Sequence, residues 1–132
     1  MSTAIDQDFK NMLTTRPGAE KLLGCFLCGT CTAGCPISEI DKDYDPRKMM
    51  RQILFGMKGE VLQSGALWKC YQCHTCVAHC PQDVRFADVV RALREVAAEE
   101  GVCDGELAKK VEELDLEVRK QRLEKVSALL KK

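Results

Sequence analysis

Apolar positions recur at helical intervals along most of the chain. Over 1–16, Ile5, Phe9, Met12 and Leu13 predict a helix that Ser2 or Thr3 can cap and Pro17-Gly18 breaks. Met49, Met50, Ile53 and Leu54 make one stripe over 46–55, with Asp45 as N-cap, Pro46 at the first helical position, and Gly56 and Gly59 beyond the end. A short helix is expected at 59–64, ending at Gly65. The clearest helix spans 84–100. Its face carries Phe86, Val89, Val90, Leu93, Val96 and Ala97, with Arg85, Arg91, Arg94, Glu95 and Glu99 mostly turned away and Gly101 as C-cap. Residues 104–130 predict a long charged helix. Leu107, Val111, Leu114 and Val118 form one stripe, and Leu116, Leu123, Val126 and Leu130 a second, displaced one. A narrow apolar seam on such a helix suits docking to another chain.

Between these helices the chain writes one cysteine pattern twice. The copies are Cys25-x-x-Cys28-x-x-Cys31-x-x-x-Cys35-Pro36 and Cys70-x-x-Cys73-x-x-Cys76-x-x-x-Cys80-Pro81. They take eight of the nine cysteines; Cys103 is left over and is given no chemistry. Gly24, Gly29 and Gly34 line the first copy, where a cluster-binding loop must turn amides toward sulfur without crowding. The second copy has Trp68 before it and His74 and His79 within it. Trp68 is expected to shield a cluster from water. With both cysteine sets complete, the histidines are expected to bond sulfur or lie at the surface, although histidine can itself ligate iron.

The 34 residues between Cys35 and Cys70 decide the fold class. Small β-type ferredoxins join their motifs by strands of alternating pattern. This connector shows none, and carries a polar stretch at 37–44 followed by the two helix patterns. The expected fold is all-α, with an N-terminal helical arm at 1–16, a dicluster domain at 17–101 and a charged helix at 102–132.

The composition narrows the chemistry. Only 5% of the 132 residues are aromatic, so metal binding is expected to supply much of the stability and the apo chain to be partly unfolded. Twenty basic and twenty acidic residues cancel, which argues against a nucleic-acid binder. The odd cysteine count, the close spacing and the lack of a leader-like run near Met1 oppose a secreted disulfide scaffold. Cysteines so spaced fit a reducing compartment, here the cytoplasm, and no run is apolar enough for direct membrane insertion.

Each run is of the bacterial type that holds cubane iron–sulfur clusters, in which the fourth cysteine ligates the other cluster. On that rule Cys25, Cys28, Cys31 and Cys80 hold one [4Fe-4S] cluster, and Cys70, Cys73, Cys76 and Cys35 hold a second. Zinc usually takes two separated pairs per ion, not a triplet with a Cys-Pro, yet a zinc-stapled interaction module is the alternative of another class. No nucleotide-binding glycine motif and no nucleophile with a paired base is present, so no catalytic residue is expected.

Three segments resemble the C subunit of heterodisulfide reductase: Cys25-Phe-Leu-Cys-Gly-Thr-Cys-Thr-Ala-Gly-Cys-Pro36, Pro46-Arg-Lys-Met-Met-Arg51 and Leu67-Trp-Lys-Cys-Tyr-Gln-Cys-His-Thr-Cys-Val-Ala-His-Cys-Pro81. The likeness runs over about residues 20–100. It implies an alpha-helical ferredoxin with two [4Fe-4S] clusters that serves electron transfer in an oxidoreductase complex. The partners it implies are a B-type catalytic protein with CCG domains, which reduces a disulfide, and an A-type protein that contains flavin and iron–sulfur groups. Iron–sulfur subunits of succinate dehydrogenase and glycolate oxidase share the fold, and the cluster motifs alone do not separate these circuits.

Overall fold

The computed structural model describes residues 4–131. Among them there are helices and turns but no strand, in keeping with the all-α expectation. The helices are α1 (Phe9–Thr14), α2 (Thr30–Ala33), α3 (Pro36–Ile40), α4 (Pro46–Leu54), α5 (Lys58–Gln63), α6 (Ala66–Lys69), α7 (Thr75–His79), α8 (Phe86–Glu99) and α9 (Gly105–Leu130), with a 3-10 turn at Leu22–Gly24. Ser2 and Thr3, expected to cap the first helix, lie outside the described residues. The stretch 37–44 is less irregular than its polarity suggests. Pro36 opens α3, its fixed φ and missing N–H suiting the first helical position.

α8 is the spine, because its apolar face covers more than half its circumference. Phe86, Val89, Val90, Leu93, Val96 and Ala97 are all buried, and α1, α5, α6 and α7 pack around them. Phe9 and Leu13 of α1, Met50 and Ile53 of α4, Val61 of α5 and Leu67 of α6 complete the core. Each large side chain so buried contributes about 1.5–3 kcal/mol. The periodicity misplaced one residue. Arg94, expected away from the buried face, is 8% exposed.

Two close backbone approaches fix the N-terminal side. The Asp6 N–H donates to the Gly56 carbonyl at 2.8 Å, tying the chain before α1 to the turn after α4. Gly56 has φ +74°, and a Cβ there would stand 2.3 Å from the Asp6 carbonyl oxygen, so only glycine fits.

α9 stands apart in character. At 26 residues it is about 39 Å long. It buries no residue fully and packs on the rest through α8. Leu107, Ala108 and Val111 are half-buried near its start, whereas Leu114, Leu116, Val118, Leu123 and Leu130 are exposed. Asp104 caps its start by accepting from the Glu106 N–H.

Candidate metal centre

The two cysteine runs follow the same backbone path. Leu27 and Gly29 have φ +59° and +84° in the first; Gln72 and His74 have φ +55° and +60° at the matching positions of the second. The left-handed turn then opens α2 in one run and α7 in the other, and these two short helices pack against each other. Thr30 Oγ1 lies 3.3 Å from Cys28 Sγ, and Thr75 Oγ1 lies 3.3 Å from Cys73 Sγ. Each copy thus sets a hydroxyl against its second cysteine, and in the second copy the Cys73 thiol donates.

This packing encloses two cavities. The first has an empty volume of about 390 Å³ and is lined by Cys25, Cys28, Cys31, Cys76 and Cys80. The second, of about 330 Å³, is lined by Cys35, Cys70, Cys73 and Cys76. Cys76 and Phe86 border both and form the partition. So the closing cysteine of each run, Cys35 or Cys80, faces the cavity of the other run. All nine cysteines are free thiols.

Polar hydrogens converge on the sulfurs. The Val84 N–H reaches Cys80 Sγ at 3.4 Å, and Gln72 Nε2 reaches Cys70 Sγ at 3.4 Å while also donating to the Ala87 carbonyl at 3.1 Å. Backbone N–H groups of Leu27, Thr30 and Ala87 serve Cys25, Cys28 and Cys76. Burial pushes the Cys25 and Cys31 thiols up, and carries Cys76 to about 11. Cys28 is exposed, and the Thr30 hydroxyl bond holds its pKa below the ordinary thiol value. Five thiols on the first cavity and four on the second, with Cys76 shared, amides aimed at sulfur and apolar walls of Met50, Val84 and Phe86 suit bound cubane clusters. Among the described residues no group of three or more such donors converges closely enough for a single metal ion. Thiols spread around a cavity match the wider ligand separation of a cube better than a tetrahedral zinc with bonds of ~2.3 Å.

The residues around the runs are partly those expected. Trp68 lines neither cavity, contrary to its expected role as a shield. It packs on the core with the Arg94 guanidinium 5.2 Å from its ring centroid. Beside Phe86, the buried aromatic at the second cavity is Tyr44, which the polar connector hid. Burial and the adjacent Cys70 push its phenol above the usual range. His74 lines the second cavity, and His79 lines neither. Arg94 was also missed. It donates to the Leu67 carbonyl at 2.9 Å and to the Cys70 carbonyl at 2.8 Å, clamping the chain where the second run begins.

An all-helical scaffold around two thiol-lined cavities defines an alpha-helical dicluster ferredoxin. Comparison with known proteins agrees: residues 24–85 match the 4Fe-4S dicluster domain family. The C subunit of the H(2):CoB-CoM heterodisulfide,ferredoxin reductase of Methanothermobacter thermautotrophicus is 38% identical over 97 residues, covering 74% of this chain and 51% of that protein. The iron-sulfur C subunit of the CoB–CoM heterodisulfide reductase of Methanopyrus kandleri is 43% identical over 77 residues, or 58% of this chain and 40% of that one. An Archaeoglobus profundus protein named as like the C subunit of heterodisulfide reductase is 32% identical over 83 residues, or 63% and 44%. The chain is a homologue of the heterodisulfide reductase C subunit, and its cofactors are iron–sulfur clusters, two in number. It spans about half the length of the curated relatives it matches. Among the described residues no helix is long and apolar enough to cross a membrane.

Proposed function

We propose that the chain is the electron-transfer component of a cytoplasmic heterodisulfide-reductase-like complex. It relays single electrons between a flavin-containing A-type protein and a CCG-domain B-type protein. The observation that carries this reading is the exchange of closing cysteines between the two cavities. On it, Cys25, Cys28, Cys31 and Cys80 hold one [4Fe-4S] cluster, and Cys70, Cys73, Cys76 and Cys35 hold the other.

When bound, each cluster accepts and gives up one electron. The chain's own residues hold, insulate and separate the two sites. Exchange of Cys35 and Cys80 staples distant parts of the chain together and keeps the sites adjacent across Cys76 and Phe86. Met50, Val84 and Phe86 keep water from the first site, and the exposed Cys28 and Cys73 mark the sides nearest solvent, where a partner's redox group can approach. In this reading 17–101 is the relay, α1 of the segment 1–16 is packed into it through Phe9 and Leu13 rather than standing out as an arm, and the helix at 102–132 meets the partners. The exposed leucines of α9 support that role for the last segment.

Anaerobic purification of the native complex tests the proposal. Two [4Fe-4S] clusters per chain, with A-type and B-type proteins co-purifying, are expected. Zinc without sulfide sinks the cluster assignment, and co-purification with a hydroxy-acid or quinone-linked dehydrogenase instead replaces the circuit.

A further inference from the structure

Tyr44 is 1% exposed and lines the second cavity beside Cys35, Cys70 and Cys76. On the first cavity no tyrosine occurs; Arg47 and Met50 stand there. Burial first, and then the adjacent Cys70 side chain, raise the pKa of the Tyr44 phenol, which places the hydroxyl near that sulfur. The Tyr44 backbone is pinned from both sides. The Tyr44 N–H donates to the Asp41 carbonyl at 3.1 Å, and its carbonyl accepts from the buried Ser38 hydroxyl at 2.8 Å. The Asp41 carboxylate pairs with Lys69, the residue before Cys70. The turn that carries the tyrosine is thereby tied to the segment that carries its sulfur.

Phenylalanine would fill the same space. A hydroxyl in an apolar wall is costly unless it meets an acceptor, and the wall around Tyr44 offers it the sulfurs of the ligand set. We propose that Tyr44 is a positioning residue that donates its hydrogen bond to the Cys70 sulfur and thereby raises the reduction potential of the second cluster. This rests on the assignment of Cys70 to that cluster. Reduction adds negative charge that spreads onto the ligand sulfurs. A donor stabilises the more negative state more, which raises the potential.

The test uses the full chain, loaded anaerobically, with redox titration followed by electron paramagnetic resonance. Tyr44→Phe is expected to keep its iron and sulfide and to lower one midpoint, leaving the other in place. The expected change is about tenfold in the electron-sharing equilibrium, or ~59 mV for one electron. An exchangeable proton coupled to that cluster should vanish from the pulsed spectrum in the variant. Midpoints that both stay, or that move together, overturn the proposal, as does a coupling that persists. Should Tyr44→Phe fail to load, replacement of Tyr44 by 3-fluorotyrosine decides. The stronger donor must raise the same midpoint, and an unmoved midpoint overturns the proposal. Failure of the unsubstituted chain to hold iron and sulfide overturns the cluster reading itself, and this proposal with it. Midpoints indifferent to residue 44 overturn the proposal alone.

Discussion

The two cysteine runs share a backbone path and differ in what stands against it. Both place left-handed residues at the same two positions, Leu27 and Gly29 in one and Gln72 and His74 in the other. Only one of the four is glycine. Around the first run stand Arg47, Met50 and Val84; around the second, Tyr44, Tyr71 and His74. A side-chain amide, from Gln72, reaches Cys70, while its counterpart Leu27 has no such group to offer Cys25. Ligand spacing therefore sets the path of the chain, and the lining gives each site its own polarity. A repeat can bind the same cofactor twice and still make two unequal stations.

The sharpest way to break this comparison is to remove the exchanged ligands. Cys80→Ser is expected to lose the cluster of the first run, and Cys35→Ser that of the second, each leaving about half the iron. Spectroscopy on the singly loaded proteins distinguishes the sites. Loss only of the second-run cluster from Cys80→Ser ends the crossed assignment. Because folding and ligand-site formation are coupled, both variants should also melt far below the parent.

Arg94→Ala comes next. It strips the Leu67 and Cys70 carbonyls of their donor and removes the cation from the Trp68 ring. The expected loss is about 2–4 kcal/mol from two charge-assisted bonds and a desolvated cation–π contact. It falls on one run only. Under a chelator the second cluster should bleach several-fold faster than in the parent while the first keeps its rate. Equal acceleration at both sites would show the guanidinium to be a general core support.

These residues also mark where the sequence was legible. The stripes on α4, α8 and α9 announced themselves through periodicity, because long amphipathic helices repeat their apolar positions several times. The cysteine spacing named the cofactor because a cubane site needs those intervals locally. Arg94 was misread because an apolar stripe accounts for side chains and ignores backbone acceptors. The loop at Cys70 forms no helix, so its carbonyls need a donor from elsewhere. Tyr44 was hidden in a polar connector for a similar reason. Its burial comes from the turn at Asp41–Tyr44 and from Ser38, contacts that no periodicity encodes. The helices α2, α3, α6 and α7 have 4, 5, 4 and 5 residues, too few for a stripe to show.

Exchanging the left-handed residues tests how alike the two paths are. Gly29→His puts a side chain at φ +84°, with a Cβ 3.3 Å from the Arg47 Cδ. Arg47 can swing aside, so the main cost is conformational, about 1–2 kcal/mol. His74→Gly relieves the corresponding strain, offset in part by the freedom glycine adds to the unfolded chain. Thermal scans of the loaded proteins should show a fall for the first and a change of less than ~1 kcal/mol for the second. A large loss from His74→Gly would mean that the imidazole has a specific task at the second cavity.

The smallest effect separates α4 from α8. Asp45 caps α4, with Oδ1 accepting from the Lys48 N–H at 3.1 Å and from Thr32 Oγ1 at 2.7 Å. Thr32 in turn accepts from the Arg47 N–H at 2.9 Å, so the cap joins α4 to the first run. α8 has no such cap; Arg85 at φ +62° precedes it and turns its guanidinium to Asp88. Asp45→Ala should cost about 1 kcal/mol. Burial raises the Asp45 pKa, but the Thr32 hydroxyl and the Lys48 and Arg47 amides outweigh it and hold it below the ordinary 3.8. With the folded value depressed, the carboxylate's contribution is full above the unfolded pKa and fades as pH falls through the folded one. Asp45→Asn keeps an acceptor for the α4 amides and does not titrate. The parent's advantage over it should therefore shrink below about pH 4. A stability difference between the two that stays constant from neutral pH down through that range would mean that the cap acts through shape alone, and that charge plays no part in tying α4 to the first run.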